Sequence, residues 1–287
     1  MRNLIISLAI LCAVGLAACN IINPTERVPF YIKVDSVSIY GTNYVKYGST
    51  KSHRITDVWV YSNNSLVGAY EVPATIPILA DSNDVISIRA GINDNGVSNA
   101  KKGYDLYNFY STPISWSKST IKTLQPSFTY LDATIMPFNW DFESTNPFLP
   151  RNAGIDLNMD YSFGTANTFE GVGSGYLKVD TFNKVNQIVS TSSFSVPINK
   201  VYYLEMNYKC TMPFQVYVIG SKLGQISSHF LGGVNAKNTW NKIYFNIGAL
   251  QSSVGAESFQ LLIRSELPKD SLEGEMCLDN IKLIGIN

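Results

Sequence analysis

The sequence predicts an all-β protein built from two β-sandwich domains. After about residue 30, short runs in which apolar and aromatic residues alternate with polar ones recur along the chain. Alternation with a period of two is typical of strands that bury one face. Asn, Gly and Pro separate these runs at spacings of roughly 8–12 residues, as in sandwiches. No apolar pattern of helical period follows residue 18, so we expect almost no helix in the folded part.

The N-terminal segment, residues 1–18, predicts export. Met1-Arg2-Asn3 begins it with a basic residue, and Leu4–Leu16 is almost wholly aliphatic. This apolar run is shorter than the roughly 20 residues that a membrane-spanning helix needs, and it has the length of a signal-peptide core. Leu16-Ala17-Ala18-Cys19 resembles the lipobox of bacterial lipoproteins in all four positions. The resemblance implies cleavage after residue 18 and a lipid anchor on Cys19. An ordinary signal peptide with a chance cysteine, or an uncleaved anchor helix, are the alternatives.

Residues 19–29 are expected to form the lipidated tether, because Pro24 and Pro29 lie among polar residues and favour an extended chain. In the lipoproteins that this segment resembles, Asp directly after the lipidated cysteine is the signal for retention in the inner membrane. This chain has Asn20 there, which favours sorting to the outer membrane. Surface lipoproteins of Bacteroidetes-like bacteria resemble one another in an acidic run at this place, whereas Glu26 is the one acidic residue here. The sequence therefore leaves open whether the protein faces the periplasm or the cell surface.

The charge balance excludes one class of partner. Lys and Arg number 22, Asp and Glu also number 22, and the formal net charge is +0. Nucleic acids and anionic bilayer surfaces select proteins with basic patches. No run of Lys or Arg occurs in this chain. We therefore expect no nucleic-acid partner, and membrane association through the lipid alone.

Residues 30–138 are predicted to form the first sandwich. Val58–Tyr61 is a strand, and Asn63-Asn64 suits a two-residue hairpin turn because Asn tolerates positive φ. Tyr104–Tyr110 is predicted as an aromatic strand. The hairpin Val58–Gly68 resembles small PEGA-like and Ig-like modules, which implies an Ig-like domain acting as a spacer or a contact platform. Residues 131–139 are expected to join the two domains.

Residues 139–287 carry four short motifs in a characteristic order: Trp140-Asp141-Phe142-Glu143, Gly173–Val179, Thr239–Phe245 and Leu278–Leu283. This order resembles the galactose-binding-like jelly roll that many carbohydrate-binding modules use. The resemblance covers nearly the whole second half of the chain. It implies a jelly roll whose long first loop often shapes the ligand face.

Aromatic side chains are the candidate ligand-binding groups, because sugar C–H faces stack on exposed rings. Trp140, Tyr161 and Phe163 lie in or beside the long loop of the second domain, and loops on a rigid scaffold often carry function. The resemblance to carbohydrate-binding modules implies that these three residues form a glycan site. A loop packed on itself, without ligand, is the alternative.

A structural calcium ion is the one metal that the resemblance implies. In jelly rolls of this kind it often lies where the first and last strands meet, which here gives Glu143 and Asp279 as ligands. Calcium needs six to eight oxygens, so most would come from carbonyls or water. The alternative is that Asp279 makes turn hydrogen bonds and Glu143 is solvated. No other cofactor is required.

Cys210 and Cys277 are the two cysteines that remain besides Cys12 in the signal segment and Cys19. An exported protein can oxidise them to a disulfide. Two buried free thiols are the equal alternative, because sequence does not show whether the Cβ atoms approach each other.

No catalytic constellation is visible. In Gly171–Gly175 the residue two before the serine is Val172, where a nucleophile elbow needs glycine. No Lys-Ser/Thr follows for a phosphate loop, and no pair of carboxylates marks a glycosidase. We therefore predict a non-enzymatic outer-membrane lipoprotein. Its role is either recognition or scaffolding. In the first case the jelly roll binds a glycan; in the second the protein is an accessory subunit of an outer-membrane uptake or secretion complex. Glycoside hydrolysis is the disfavoured alternative.

Overall fold

The computed structural model describes residues 28–40, 51–79, 84–113, 115, 119–164 and 166–287. Cys19, the signal segment and most of the tether lie outside these residues. Within the described part the chain is nearly all β, with 21 strands and one short helix. The prediction of an all-β chain with two β-sandwiches is confirmed.

The first sandwich is formed by strands β1–β10. One layer contains a sheet of order β5-β1-β9 and a two-stranded ladder of β2 with β10; the other contains a sheet of order β4-β3-β6-β7, with β8 also paired to β6. The strand bounds are β1 Phe30–Val34, β2 Ser38–Ile39, β3 Asp57–Ser62, β4 Ser65–Glu71, β5 Ala74–Ile78, β6 Val85–Asn93, β7 Lys101–Gly103, β8 Tyr110–Pro113, β9 Ile121–Leu124 and β10 Ser127–Phe128.

The hairpin between β3 and β4 turns at the predicted pair of asparagines. Asn63 has φ 45° and Asn64 has φ 66°, and a two-residue turn of this kind requires positive φ at both central positions. The predicted strand over Tyr104–Tyr110 is wrong. Tyr104, Leu106 and Tyr107 are all buried. The segment lacks the alternation of buried and exposed residues that a strand with one buried face shows, because it is a loop enclosed from both sides. Only its last residue enters β8.

The second sandwich is the jelly roll. Its first sheet has the order β13-β14-β21-β16-β19, with β11 also paired to β21, and its second has the order β12-β15-β20-β17-β18. The strand bounds are β11 Thr134–Trp140, β12 Phe148–Pro150, β13 Asp160–Phe163, β14 Gly173–Asp180, β15 Val185–Ser190, β16 Val201–Cys210, β17 Phe214–Lys222, β18 Gln225–Val234, β19 Lys237–Phe245, β20 Ser258–Glu266 and β21 Glu273–Ile286.

The joint between the domains is shorter than the sequence predicted. Residues from Thr134 onward already belong to β11, whose Thr134 pairs with Ile286 at the end of β21. The second sandwich therefore begins several residues before residue 139. Pro137 lies where the register between β11 and β21 shifts, as expected for a residue that cannot donate to a ladder.

The helix α1, Ile247–Val254, was not predicted. The side chain of Asn246 caps its first turn by accepting from the backbone N–H of Ala249, and Gly255 ends it with φ 62°. Asparagine and glycine are favoured at these two positions. Eight residues are about two turns, too few for a helical period to show in the sequence.

The central part of the six-stranded sheet, at β16, β19 and the end of β21, is buried on both faces. One face gives Leu204, Phe245 and Leu283 to the core of the jelly roll. The opposite face gives Tyr203 and Tyr244, together with Ile284, to the core of the first sandwich. The first sandwich therefore packs against the outer face of this sheet, which we call the shared sheet.

Three charged side chains lie at the centre of this shared interface. Glu205 accepts from Lys242 at 2.6 Å and lies 3.6 Å from the ammonium group of Lys282, and all three side chains are at most 1% exposed. The hydroxyl of Tyr130 donates to Glu205 at 2.8 Å, and Tyr104 donates to the same carboxylate. We call Glu205, Lys242 and Lys282 the buried charge cluster.

The cluster shifts the pKa values of its members. Burial alone would raise the pKa of Glu205, but the two neighbouring ammonium groups outweigh it and the pKa lies at about 2. Burial lowers the pKa of Lys282 to about 8, with Lys242 acting in the same direction and Glu205 opposing it. At neutral pH Glu205 is therefore ionised, and Lys282 is closer to losing its proton than an exposed lysine.

Replacing Glu205 tests how much the cluster contributes to stability. In Glu205→Ala two buried ammonium groups lose their carboxylate, and we expect the free energy of unfolding to fall by about 3–5 kcal/mol. Urea denaturation measures this change. Glu273→Ala is the matched control, because Lys178 and Glu273 also lie 2.6 Å apart but are 43% and 61% exposed. Its unfolding midpoint should barely change; equal losses in both variants would contradict the role of burial.

Lys282→Met tests how the buried charge cluster affects stability at alkaline pH. Because the pKa of Lys282 in the folded state is about 8, below its ordinary value, the unfolded chain binds more protons between pH 8 and 10. Stability from this group should therefore rise as pH rises through that window. Urea denaturation at pH 7, 8, 9 and 10 should show a smaller rise, or a steeper fall, in Lys282→Met than in the unsubstituted protein. Identical pH profiles would contradict the burial of a charged Lys282.

Candidate functional site

The outer face of the five-stranded sheet is the candidate ligand surface. Paired residues on neighbouring strands project to the same side of a sheet. Ile188, Val216 and Ile263 of this sheet point into the core of the jelly roll. Their neighbours along each strand therefore project outward, on the side away from the shared sheet.

One line of outward residues is apolar and crosses all five strands. Leu149 pairs with Val189, Val189 with Leu262, Leu262 with Tyr217, and Tyr217 with Phe230. The Tyr217 and Phe230 rings meet edge to face with centroids 5.2 Å apart. Leu149 is 54% exposed and Phe230 is 55% exposed, whereas Leu262 between them is 2% exposed. We call these five residues the apolar row.

A second line, parallel to the first, is polar. Gln187 pairs with Arg264, and Arg264 pairs with Gln215. Arg151 donates to the side-chain oxygen of Gln187 at 2.9 Å, and Arg264 donates to that of Gln215 at 3.2 Å. The hydroxyl of Tyr217 also donates to Gln215, at 3.0 Å. We call Arg151, Gln187, Arg264 and Gln215 the polar row.

The two rows form one preorganised surface. Successive residues on the same side of a strand are about 7 Å apart, so the rows run side by side at that separation. The hydrogen bonds within the polar row hold its amide and guanidinium groups in place before any ligand arrives. Such a surface offers aromatic rings, on which the C–H groups of a ligand can pack, next to groups that donate and accept hydrogen bonds.

A cavity of about 300 Å³ opens beside the polar row, where β17 begins and β20 ends. Pro213, Leu267 and Pro268 form its walls, and Gln215 and Arg264 of the polar row line it. Arg264 also forms an ion pair with Glu266 at 2.8 Å. The cavity extends the polar row past the ends of β17 and β20.

Comparisons with known proteins assign neither ligand nor activity. No family model and no curated protein matches the chain. Among solved structures it is similar to one from a study of promiscuous carbohydrate-binding modules of the β-sandwich superfamily, with 11% identity, 81% of this chain and 86% of that chain covered, and a TM-score of 0.40. It is also similar to a xylan-binding domain of family 22, with 14% identity, 54% and 96% covered and a TM-score of 0.35. A third similar structure is the enzymatically active domain of tailspike protein 4 of bacteriophage CBA120. It has 13% identity, with 58% of this chain and 26% of that chain covered, and a TM-score of 0.40.

The aromatic residues singled out from the sequence belong to the other sheet. Trp140 is half-buried and stacks on Phe138 with ring centroids 4.1 Å apart, and it meets Phe148 edge to face at 5.7 Å. Tyr161 packs against the core of the jelly roll. Phe163 ends β13 opposite Gly173. The structure does not bring these residues to the apolar row, and a ligand role for them stays a prediction.

Glu143 binds backbone amides of the long loop. Its carboxylate accepts from the N–H of Val172 at 3.0 Å and of Gly173 at 3.4 Å. Glu143 therefore holds the end of the loop where β14 begins.

Asp279 binds the same loop from β21. It accepts from the N–H groups of Phe169 and Glu170 at 3.2 Å each, and from Asn280 at 2.7 Å. Burial raises the pKa of Asp279 to about 7, although these amides act to lower it. No group of three acidic, His or Cys side chains at metal-binding distance occurs among the described residues. Calcium at Glu143 and Asp279 stays a prediction.

Cys210 and Cys277 are both buried and free, so the disulfide that we considered is wrong and the free-thiol alternative holds. Cys210 pairs with Met276 on the neighbouring strand, and both contribute to the core of the jelly roll. Cys277 is the next residue and therefore projects to the opposite face of the sheet. The sheet itself keeps the two sulfur atoms apart.

The sequence contained a signal for the candidate surface that our interpretation passed over. In β17, Gln215 and Tyr217 occupy the phase that alternates with the core residues Phe214, Val216 and Val218. A tyrosine on the outer phase of a strand is a candidate contact residue. Its pairing with Leu262 and Phe230 depends on strand order, which local sequence does not specify.

Proposed function

We propose that this protein is a non-enzymatic, lipid-anchored outer-membrane protein that binds a polysaccharide along the apolar and polar rows. The observation that carries the proposal is the parallel course of the two rows: the apolar row crosses all five strands, and beside it the polar row crosses β15, β20 and β17. A pyranose ring has one apolar C–H face and a rim of hydroxyl groups. The apolar row can receive the face, while the polar row exchanges hydrogen bonds with the rim.

The shape of the surface favours a narrow, linear ligand. A stable protein interface buries about 800 Å² per partner around an apolar centre. The apolar row is one residue wide, its middle residue Leu262 is covered, and guanidinium groups border it. A sugar chain needs only such a strip, because each ring makes its own small set of contacts.

The proposed anchor rests on the sequence. The Leu-Ala-Ala-Cys motif supports acylation of Cys19, and lipid chains contribute about 0.8 kcal/mol for each buried CH₂ group. No helix in the described part of the chain is long and apolar enough to cross a membrane. In this proposal the lipid and the tether hold both sandwiches at the outer membrane.

Tyr217→Ala tests the glycan site. Affinity electrophoresis of the purified chain through gels containing neutral polysaccharides (β-glucan, xylan, galactan) or acidic ones (polygalacturonate, alginate) identifies a ligand. We expect Tyr217→Ala to weaken its binding at least tenfold, because one of the two aromatic rings of the apolar row is lost. Tyr217→Phe, which keeps the ring, should retain most of the affinity.

Tyr161→Ala is the comparison that locates the site. Binding that survives Tyr217→Ala but is lost in Tyr161→Ala would place the ligand on the loop predicted from the sequence and contradict the row site. Absence of binding to every polysaccharide, together with recovery of a barrel protein when the chain is purified from membranes in mild detergent, would contradict glycan recognition and favour an accessory subunit.

Cys19→Ser tests the anchor. We expect the unsubstituted chain to incorporate radiolabelled palmitate and to sediment with outer membranes, and the variant to incorporate none and to enter the soluble fraction if its signal is still cleaved. Cys277→Ser is the control, because a buried thiol in β21 should not affect labelling. Equal labelling of the unsubstituted chain and the Cys19 variant would contradict lipidation at this residue.

A further inference from the structure

A pocket of about 220 Å³ lies where the two sandwiches meet. The first sandwich contributes Arg54, Asn93 and Ser98, and the jelly roll contributes Lys237, Asn241 and Lys242. We call it the junction pocket. Its volume equals that of about seven water molecules at liquid density, so it suits a single sugar-sized ring.

The lining of the junction pocket is cationic. Arg54 and Lys237 are exposed, and neither forms a salt bridge with a described carboxylate. Lys242 also lines the pocket and is 4% exposed. No Asp or Glu is among the described lining residues. A concave surface with charge of one sign attracts ligands of the opposite sign.

The carboxylates in the wall behind the pocket lie outside its lining. Glu205 forms an ion pair with Lys242 at 2.6 Å in the buried charge cluster. One oxygen of Asp94 accepts from the side chain of Asn246 at 3.3 Å, and its other oxygen is buried without a hydrogen-bond partner among the described residues. The described lining therefore presents the guanidinium of Arg54 and the ammonium of Lys237 with no carboxylate beside them.

The pocket walls are fixed by hydrogen bonds and carry neutral polar groups. Asn241 donates to the hydroxyl of Tyr208 at 3.1 Å and accepts from the backbone of Lys242 at 3.0 Å. The backbone N–H of Arg54 donates to the hydroxyl of Tyr244 at 3.0 Å, which joins the two sandwiches. Amide and hydroxyl groups beside the cations match a ligand that has hydroxyl groups as well as a negative charge.

The polar row leads to this pocket. Gly233 in the edge strand β18 pairs with Gln215 of the polar row and also lines the pocket. A Cβ atom built on Gly233 meets nothing within 4 Å. At Gly233, between the polar row and the pocket, the surface therefore carries no side chain and faces open space.

We propose that the junction pocket binds the negatively charged ring of an acidic polysaccharide, a hexuronate or a sulfated hexose, whose neighbouring rings lie along the polar row. The proposal rests on the glycan function proposed above and specifies its ligand class. Arg54 and Lys237 contact the anionic group, while Asn93, Ser98 and Asn241 exchange hydrogen bonds with ring hydroxyls.

Isothermal titration of the full chain in detergent tests the pocket with small probes: galacturonate, glucuronate, galactose 6-sulfate, galactose, and sodium sulfate alone. We expect the best acidic sugar to bind at least tenfold more tightly than galactose or sulfate, and its affinity to fall as salt rises. Arg54→Gln and Lys237→Gln should each weaken it about tenfold. Lys122→Gln, with the same loss of charge at an exposed site in β9, should leave it unchanged.

Several results would overturn this proposal. They are no binding of any acidic sugar, sulfate binding as tightly as the acidic sugars, or equal effects of Arg54→Gln and Lys122→Gln. In each case retention of a polysaccharide that depends on Tyr217 would leave the row site standing, so the two proposals fail separately.

Gly233→Trp tests the connection between the row and the pocket. The indole should obstruct the surface between them and weaken an acidic polysaccharide at least tenfold, while the acidic monosaccharide still binds. Unchanged binding of the polysaccharide would contradict a ligand that spans both.

Discussion

The buried ion pair between Glu205 and Lys242, with Lys282 beside it, is the constraint on which the rest of the structure depends. Three charges leave water at an interface where each is stable only if the others stay in place. Glu205 lies in β16, while the tyrosines that donate to it, Tyr104 and Tyr130, come from the first sandwich. The carboxylate is satisfied only when the two halves are packed together, so the cluster sets their register as well as their contact.

Packing around this cluster determines which surfaces remain for a ligand. The shared sheet is covered on both faces around β16 and β19, and the broad open face of the jelly roll is the outer side of the five-stranded sheet. The same packing brings Arg54 of the first sandwich to Lys237 and Lys242 of the second. The junction pocket therefore exists only in the assembled chain, and the first sandwich is part of the binding surface as well as a spacer.

Much of the fold was visible in the sequence because strand alternation and turn residues are local signals. The Asn63-Asn64 hairpin and the strand over Phe214–Ile219 are examples. The joint, the loop at Tyr104 and the helix α1 were missed, because each depends on burial by distant residues or is too short to show a period. The candidate surface depends on pairing across β12, β15, β20, β17 and β18. Neither that order nor the burial of Glu205 can be read from neighbouring residues, since a glutamate in an alternating strand is equally consistent with a solvated face.

The central claim is that the two sandwiches form one cooperative unit around the shared sheet. Native-state hydrogen exchange, followed by mass spectrometry at increasing urea, tests it most directly. We expect the protected amides of β6 in the first sandwich and of β17 in the second to exchange through one opening, with the same free energy and the same dependence on urea. Exchange of β6 through an opening of lower free energy, while β16 and β17 stay protected, would show that the first sandwich unfolds alone and would contradict the claim.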